Sequence, residues 1–203
     1  MPYRRTPQIQ ARIDAQRAAI LEAGAELLSE YGYAGCSVSA VAARAGIATG
    51  GVYRHFSDKA ELVAELFRVV VGREVAAVER AGAGHGDLPD RIIAVVETFA
   101  GRAFKAPRLA YAMLAEPVDA AVERERLVFR QRFADVFTRW VEDGMRAGTL
   151  PRQNARLTAA AMVGAIAEVL VGPLAAGSAE PDTIPSLVTL MVRALGANDA
   201  RHA

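Results

Sequence analysis

The chain has 203 residues, of which 52% are hydrophobic and 6% aromatic, and its formal net charge is +1. Its one cysteine, Cys36, excludes a disulfide framework and a multi-cysteine metal site, and it favours a reducing compartment. No secretory signal is recognisable, and no run approaches the roughly eighteen apolar residues that span a bilayer, so we expect a soluble, cytoplasmic protein that makes no membrane contact.

The first predicted helix spans about Arg12 to Glu30 and ends at Gly32, where a helix stop is expected. Its apolar residues fall on one stripe at helical spacing, namely Ile13, Ile20, Leu21, Leu27 and Leu28. The sequence therefore predicts an amphipathic helix at the amino-terminal end.

Two short helices are predicted next. Ser37 is a suitable cap for the first, which runs through Ala45 and ends at Gly46. The second spans about Thr49 to Phe56. Helices this short need a neighbouring helix to cover their apolar faces, so we expect both to pack on the long helix before them.

The rest of the chain also has helical periodicity. Asp58 begins a long segment that ends in a glycine-rich connector at residues 81–86, which lacks the Lys-Ser or Lys-Thr of a phosphate loop. Asp87 begins the next helix, and the longest segment is expected from about Asp119 to Ala147. Other boundaries are marked by Pro107, Pro117, Gly148–Pro151 and Pro181–Pro185. With no strand pattern, the predicted fold is all-α, with roughly eight to ten helices.

Charge is distributed unevenly along this chain. Residues 31–57 contain no Asp or Glu, whereas acidic and basic residues alternate elsewhere. A phosphate backbone repels carboxylates and attracts Arg, Lys and amide donors. The same window has the helix-break-helix pattern of a helix-turn-helix, at about residues 37–56, whose second helix enters the major groove.

The residues predicted to face double-stranded DNA share this window or its edge. Gly50 and Gly51 allow the backbone to approach the duplex, while hydroxyl, imidazole and cationic side chains offer donors to phosphates. The predicted contact set is Ser37, Ser39, Arg44, Thr49, Gly50, Gly51, Tyr53, Arg54, His55 and Lys59. Arg4, Arg5 and Arg12 form either a DNA-contacting arm or a solvated tail.

About fifty residues of the chain follow one ordered pattern, made up of Ile20–Leu28, Tyr31-Gly-Tyr33, Ser37-Val38, Val41-Ala42, Ala45-Gly-Ile47, Gly50, Tyr53, His55-Phe56, Lys59 and Leu62. This pattern resembles the tetracycline-repressor (TetR) family of transcription regulators. It implies an amino-terminal three-helix DNA-binding domain over residues 13–73 and a carboxy-terminal helical-bundle domain for ligand binding and dimerisation over residues 87–197. Two positions depart from the pattern, because Ala48 and Cys36 stand where the family usually has hydroxyl side chains.

The carboxy-terminal half is rich in apolar and aromatic residues that either form a plain core or surround a small apolar inducer. The resemblance favours the inducer pocket, which is mostly apolar with a few polar groups. The predicted ligand-binding residues are Phe99, Arg102, Tyr111, Glu116, Phe137 and Trp140.

Two segments, about Asn154 to Val171 and Ile184 to Leu195, carry apolar surface that suits a two-fold contact between copies of the chain. Burial inside one subunit explains the same pattern. The residues predicted at the homodimer interface are Ala160, Gly164, Ala167, Val171, Leu187 and Met191.

The sequence therefore predicts a ligand-responsive transcription regulator, a repressor that a small apolar molecule releases from a pseudo-palindromic operator. No cofactor and no metal are expected. One alternative is a redox-sensing regulator in which Cys36, near a helix amino end that would lower its pKa, is the switch. The other is an all-α enzyme, which has little support because His55, His85 and His202 lie far apart in sequence.

Overall fold

The computed structural model describes residues 6–196. These residues contain nine helices and no strand, so the fold is all-α, as the sequence predicts. Arg4, Arg5 and His202 lie outside the described residues. The helices are α1 (Pro7–Gly35), α2 (Val38–Arg44), α3 (Thr49–Val52), α4 (Lys59–Gly82), α5 (Leu88–Lys105), α6 (Pro107–Leu114), α7 (Ala120–Arg146), α8 (Ala155–Ala176) and α9 (Thr183–Ala194).

Local capping residues explain most helix boundaries. The Ser37 hydroxyl accepts the Ala40 amide at 3.1 Å and begins α2, and the Asp58 carboxylate accepts the Glu61 amide at 2.8 Å and begins α4. Gly32 and Gly46, both predicted as helix stops, have φ angles of 70° and 68°. Such left-handed backbone is inexpensive only for glycine. Gly46 follows the end of α2, as predicted, whereas Gly32 interrupts the helical geometry inside α1, which resumes and ends at Gly35.

Two further boundaries differ from the prediction. Helix α1 begins at Pro7 rather than near Arg12, because the Thr6 side chain caps it and proline is favoured in a first turn. Helix α3 ends at Val52 rather than Phe56, since two of its four residues are glycines with low helix propensity. The Phe56 amide still donates to the Val52 carbonyl at 3.1 Å, so the turn after α3 remains compact.

The helices form two connected groups. Helix α1 contacts α2 and α4, and α2 contacts α3, around fully buried side chains such as Ile20, Val41 and Leu62. The second group consists of α4 to α9, with α7 packed between α4 and α8. Helix α4 belongs to both groups, and α6 adds a second connection because it contacts α1 as well as α8.

Helix α8 contradicts the expectation that no run of this chain is apolar enough to span a bilayer. By length and mean hydropathy, 1.8 over its most apolar window, it is able to cross a membrane. In the structure it contacts α5, α6, α7 and α9, and Met162, Ile166 and Leu170 are buried. These contacts make α8 a helix of the bundle.

Candidate functional site

Helix α3 and the turn after it form an exposed surface. Thr49 and Gly50 are exposed, the Tyr53 side chain is 52% exposed, and Arg54 is exposed beside it. Val52 and Phe56 point into the core and are 1% and 2% exposed. The two apolar anchors thus hold this short segment in place while its polar side chains and backbone amides face solvent.

Helix α2 lies beside α3 and adds two hydroxyl groups to this surface. Ser39 is exposed, and its hydroxyl lies 3.1 Å from that of Ser37. The Ser37 oxygen also caps α2. Ser37 therefore orders the helix that carries the surface, in addition to its predicted contact with DNA.

Besides Ser37 and Ser39, three predicted DNA contacts have partners within the protein: Arg44, His55 and Lys59. Arg44 binds Glu30 at 2.7 Å and Glu26 at 3.1 Å, and the hydrogen bonds that its guanidinium donates to these carboxylates raise the pKa of Arg44. The imidazole of His55 lies 3.1 Å from the Gln16 side-chain oxygen.

The Lys59 ammonium lies 4.2 Å from the centre of the Tyr33 ring, which is a cation–π distance. DNA contact by Arg44, His55 and Lys59 stays a prediction. For Arg44 it requires the guanidinium to exchange two carboxylate partners for phosphate.

The two departures from the family pattern have clear structural consequences. Ala48 occupies the cap position of α3 and makes no side-chain cap. The Cys36 side chain has no exposed surface, and burial raises the pKa of its thiol to about 11. The expectation that a helix end lowers this pKa is wrong, because desolvation of the thiolate is the larger effect. The structure thus removes the physical basis for a redox switch at Cys36.

A cavity of about 220 Å³ lies between α4, α5, α6 and α7. Its apolar wall consists of Val70, Phe99, Ala103, Ala106, Leu109, Ala110, Met113, Leu114 and Phe129. Its polar side consists of Glu74, Arg102 and Lys105. Arg102 donates two hydrogen bonds to Glu74, at 2.6 and 2.7 Å, whereas Lys105 is exposed and has no ion-pair partner among residues 6–196.

A smaller space of about 20 Å³ lies behind that cavity, lined by Phe137 and by residues of α8. Phe99, Leu114 and Phe129 line both spaces and so separate them. Phe133 contacts Phe99 and Phe129 edge-on, with ring centres 5.3 and 4.7 Å apart. The aromatic cluster therefore forms the inner end of the larger cavity.

The structure brings together only part of the predicted ligand-binding set. Phe99 and Arg102 line the larger cavity and Phe137 the smaller one. Tyr111, Glu116 and Trp140 line neither: Tyr111 packs against the core, Glu116 binds backbone amides of Tyr33 and Ala34, and Trp140 packs on Gly82. The spacing of apolar residues along the chain predicts which face of a helix is buried, but it does not predict which other helix packs against that face.

Sequence reasoning missed the cavity residues Lys105, Leu109 and Ala110. Leu109 and Ala110 lie on α6, a helix of eight residues between Pro107 and Leu114. The usable signal was the apolar run from Leu109 to Leu114, close to the cationic residues Lys105 and Arg108.

The predicted dimer residues divide into two groups. Ala160 and Gly164 are exposed on α8. Leu187 and Met191 are 2% and 1% exposed and belong to the subunit's own core. Ala167 is also buried, and Val171 is half-buried. Leu187 and Met191 are therefore corrected to core positions, because α9 turns that face towards α5. The exposed apolar side chains on these helices are Leu157, Val169 and Leu190, at 68%, 38% and 47%.

Within residues 6–196, no group of three or more His, Cys, Asp or Glu side chains is arranged to hold a metal ion.

Comparison with known proteins identifies similar sequences and folds. Residues 20–66 match the family described as bacterial regulatory proteins, tetR family. The chain is 33% identical over 60 residues to the fatty acid metabolism regulator protein of Bacillus subtilis, and 34% identical over 61 residues to the transcriptional repressor KstR2 of Mycobacterium tuberculosis. These matches cover 30% of this chain and 31% and 30% of the two relatives.

The likeness of fold extends further along the chain. The regulator FadR of Bacillus subtilis in complex with stearoyl-CoA superposes with a TM-score of 0.76, at 18% identity, over 87% of this chain and 98% of that one. A TetR-family regulator from Rhodococcus superposes with a TM-score of 0.76 over 90% of this chain, at 19% identity.

Proposed function

We propose that this chain, whose residues 20–66 match the TetR family of bacterial regulatory proteins, is a ligand-responsive repressor of transcription. In this proposal a homodimer binds a pseudo-palindromic operator in the cytoplasm through the α2–α3 surface. A small molecule then enters the cavity between α4, α5, α6 and α7 and favours a conformation that binds the operator less well.

One observation carries the proposal: a single helix, α4, connects the exposed α3 surface to the cavity. Its first residue, Lys59, belongs to the predicted DNA contacts, and Val70 and Glu74 further along it line the cavity. A ligand shifts a conformational equilibrium only by its different affinity for the two states. Because α4 belongs to both sites, a change in its position at the cavity also changes the DNA-binding surface.

The cavity suits a ligand with an apolar part and an anionic end. Its wall is apolar, while exposed Lys105 and the Arg102–Glu74 pair lie at its polar side. The Bacillus subtilis FadR structure contains stearoyl-CoA, which has these two properties. We therefore propose an acyl thioester or a similar amphipathic anion as inducer, and stearoyl-CoA is the first probe.

Dimerisation is part of the same proposal, because one short recognition helix offers few contacts with DNA. Two copies related by a two-fold axis would place their α3 helices in major grooves about 34 Å apart, or a multiple of that distance. The exposed apolar residues on α8 and α9 supply a surface for this pairing.

The test is fluorescence anisotropy with double-stranded DNA from the chain's own upstream region, measured over a salt series with and without stearoyl-CoA. We expect specific binding that survives competitor DNA and weakens at least tenfold with stearoyl-CoA. Arg54→Ala is expected to weaken binding and to reduce the dependence of log affinity on log salt by about one.

Arg152→Ala is the matched control, because Arg152 is equally exposed but lies in the loop before α8. Its affinity should equal that of the wild type apart from a small long-range charge effect. Weak binding to any DNA, with equal losses in both variants, would contradict the proposed surface. Specific binding that no amphipathic anion weakens would contradict the proposed inducer class alone. An in vitro transcription assay with the same DNA decides between repression and activation.

A further inference from the structure

The segment after α6 binds the end of α1 through a carboxylate. Glu116 accepts hydrogen bonds from the backbone amides of Tyr33, at 2.8 Å, and Ala34, at 3.3 Å, across 83 and 82 positions of sequence. Gly32 makes this approach possible: a β-carbon there would lie 2.8 Å from the Glu116 carboxylate, and its φ of 70° also favours glycine. Hydrogen bonds to a charged acceptor are stronger than neutral ones, so this is a strong local attachment.

The bound segment is the corner that orients the helix-turn-helix. Tyr33 and Ala34 lie at the end of α1, a few residues before α2, and the Tyr33 ring lies under the Lys59 ammonium at the start of α4. The Tyr33 hydroxyl donates to Asp119, which lies just before α7. Helices α1, α2 and α4 therefore meet at a corner that is attached to the segment between α6 and α7.

Glu116 is attached equally firmly to α6. Its own amide donates to the Tyr111 carbonyl at 3.0 Å. Arg126, which is 6% exposed, donates to the carbonyls of Ala112, Met113 and Glu116 at 3.1, 3.0 and 2.7 Å. These bonds satisfy the carbonyls at the end of α6, so Glu116 must follow any movement of that helix.

The other side of α6 lines the cavity. Leu109, Ala110, Met113 and Leu114 all contribute to its wall. A molecule that fills the cavity presses on α6, and α6 carries Glu116 at its end. The path from the cavity to the DNA-binding unit through α6 thus ends in the contact between Glu116 and the end of α1, beside the hydrogen bond from Tyr33 to Asp119, and it is separate from the path along α4.

We propose that Glu116 is a positioning residue that couples the cavity to the DNA-binding unit. Its carboxylate holds the amides of Tyr33 and Ala34 in the operator-binding arrangement, and ligand entry withdraws it by moving α6. This inference rests on the proposed function and names the contact through which movement of α6 changes the DNA-binding unit. It gives Glu116 a role outside the cavity, where the sequence had predicted a ligand contact.

The experiment combines DNA binding with hydrogen exchange of the full-length protein. Glu116→Ala is expected to lower operator affinity about tenfold without ligand, since two charge-assisted hydrogen bonds are lost. Its affinity for stearoyl-CoA should stay within twofold of the wild type, because Glu116 does not line the cavity. The further loss of operator affinity that stearoyl-CoA causes should shrink in this variant.

Hydrogen exchange measures the contact itself. In the wild type, peptides covering residues 33–34 are expected to be protected and to lose protection when stearoyl-CoA binds. In Glu116→Ala they should exchange rapidly with or without stearoyl-CoA. Glu116→Gln keeps the size and one acceptor oxygen, so its operator affinity should lie between those of Glu116→Ala and the wild type.

Glu142→Ala is the matched control, because it removes the same charge from an exposed position on α7. Thermal unfolding of each variant checks that the fold is retained, and Glu116→Gln replaces Glu116→Ala if the latter is unfolded. Operator affinity within twofold of the wild type in both Glu116 variants would overturn the inference. A wild-type protein without specific DNA binding would instead overturn the proposed function beneath it.

Discussion

Cys36 packs among the amino-terminal helices with no exposed surface, and its thiol lies 4.0 Å from the Gly24 carbonyl. Burial raises the pKa of the thiol from 9.0 to about 11, so the reactive thiolate is scarce at neutral pH. Because the thiol has a higher pKa in the folded protein than in the unfolded chain, its contribution to the free energy of unfolding is fully present below pH 9. It is lost as the pH rises towards about 11.

We therefore expect Cys36 in the native protein to react with iodoacetamide at pH 8 about a hundredfold more slowly than in the unfolded chain. Mass spectrometry of timed samples, with and without urea, measures the two rates. Operator binding should be unchanged after brief treatment with hydrogen peroxide. Rapid native labelling together with peroxide-sensitive binding would restore the redox hypothesis.

At the scale of elements, α4 is held differently at its middle and at its end. Gly82, its last residue, lies against the Trp140 ring, where a β-carbon would be 2.3 Å from two ring atoms. Gly72 is exposed on the same helix, and a β-carbon there would meet nothing within 4 Å. The close contact at Gly82 places the end of α4 against α7, so a small side chain is required at that point.

The same substitution at these two glycines should have opposite effects on stability. Gly82→Ala is expected to lower the free energy of unfolding by about 1–3 kcal/mol through overpacking against Trp140. Gly72→Ala is expected to raise it by about 0.5–1 kcal/mol, because alanine loses less backbone entropy in a helix. Urea unfolding followed by circular dichroism measures both. Stabilisation by both variants would show that the Trp140 ring moves aside at little cost.

For the whole molecule, the proposed dimer would form through the exposed side of α8 and α9. Leu157, Val169 and Leu190 are exposed there, next to the small residues Ala160 and Gly164. Small side chains let helices approach closely, and a surface that meets its own copy gives a two-fold interface. Leu127, on α7, is an exposed leucine outside this surface, at 57%.

Leu190→Glu is expected to shift the protein from dimer to monomer, because each interface would then bury two carboxylates, one from each copy. Its operator affinity should fall with its dimer stability. Leu127→Glu makes the same chemical change and should remain a dimer. Sedimentation equilibrium over a range of protein concentrations compares the two. A Leu190→Glu dimer as stable as the wild type would place the interface elsewhere.

The candidate site was predictable from sequence to different degrees in its two halves. The exposed residues around α3 lie within one window of the chain, and their exposure follows from the buried positions of Val52 and Phe56. Their contact with DNA remains a prediction. The cavity draws on four helices, and half of its predicted residues, Tyr111, Glu116 and Trp140, have other partners.

The sequence by itself determined the all-α fold, the caps at Ser37 and Asp58, the break at Gly32 and the stop at Gly46, because helix formation and capping depend on residues within about four positions of one another. Only the tertiary structure decided which apolar residues line the cavity, which are core, and which remain exposed. It also brought Glu116 to the amides of Tyr33 and Ala34. Those outcomes depend on how distant helices pack, and helical periodicity marks the buried face without identifying its partner.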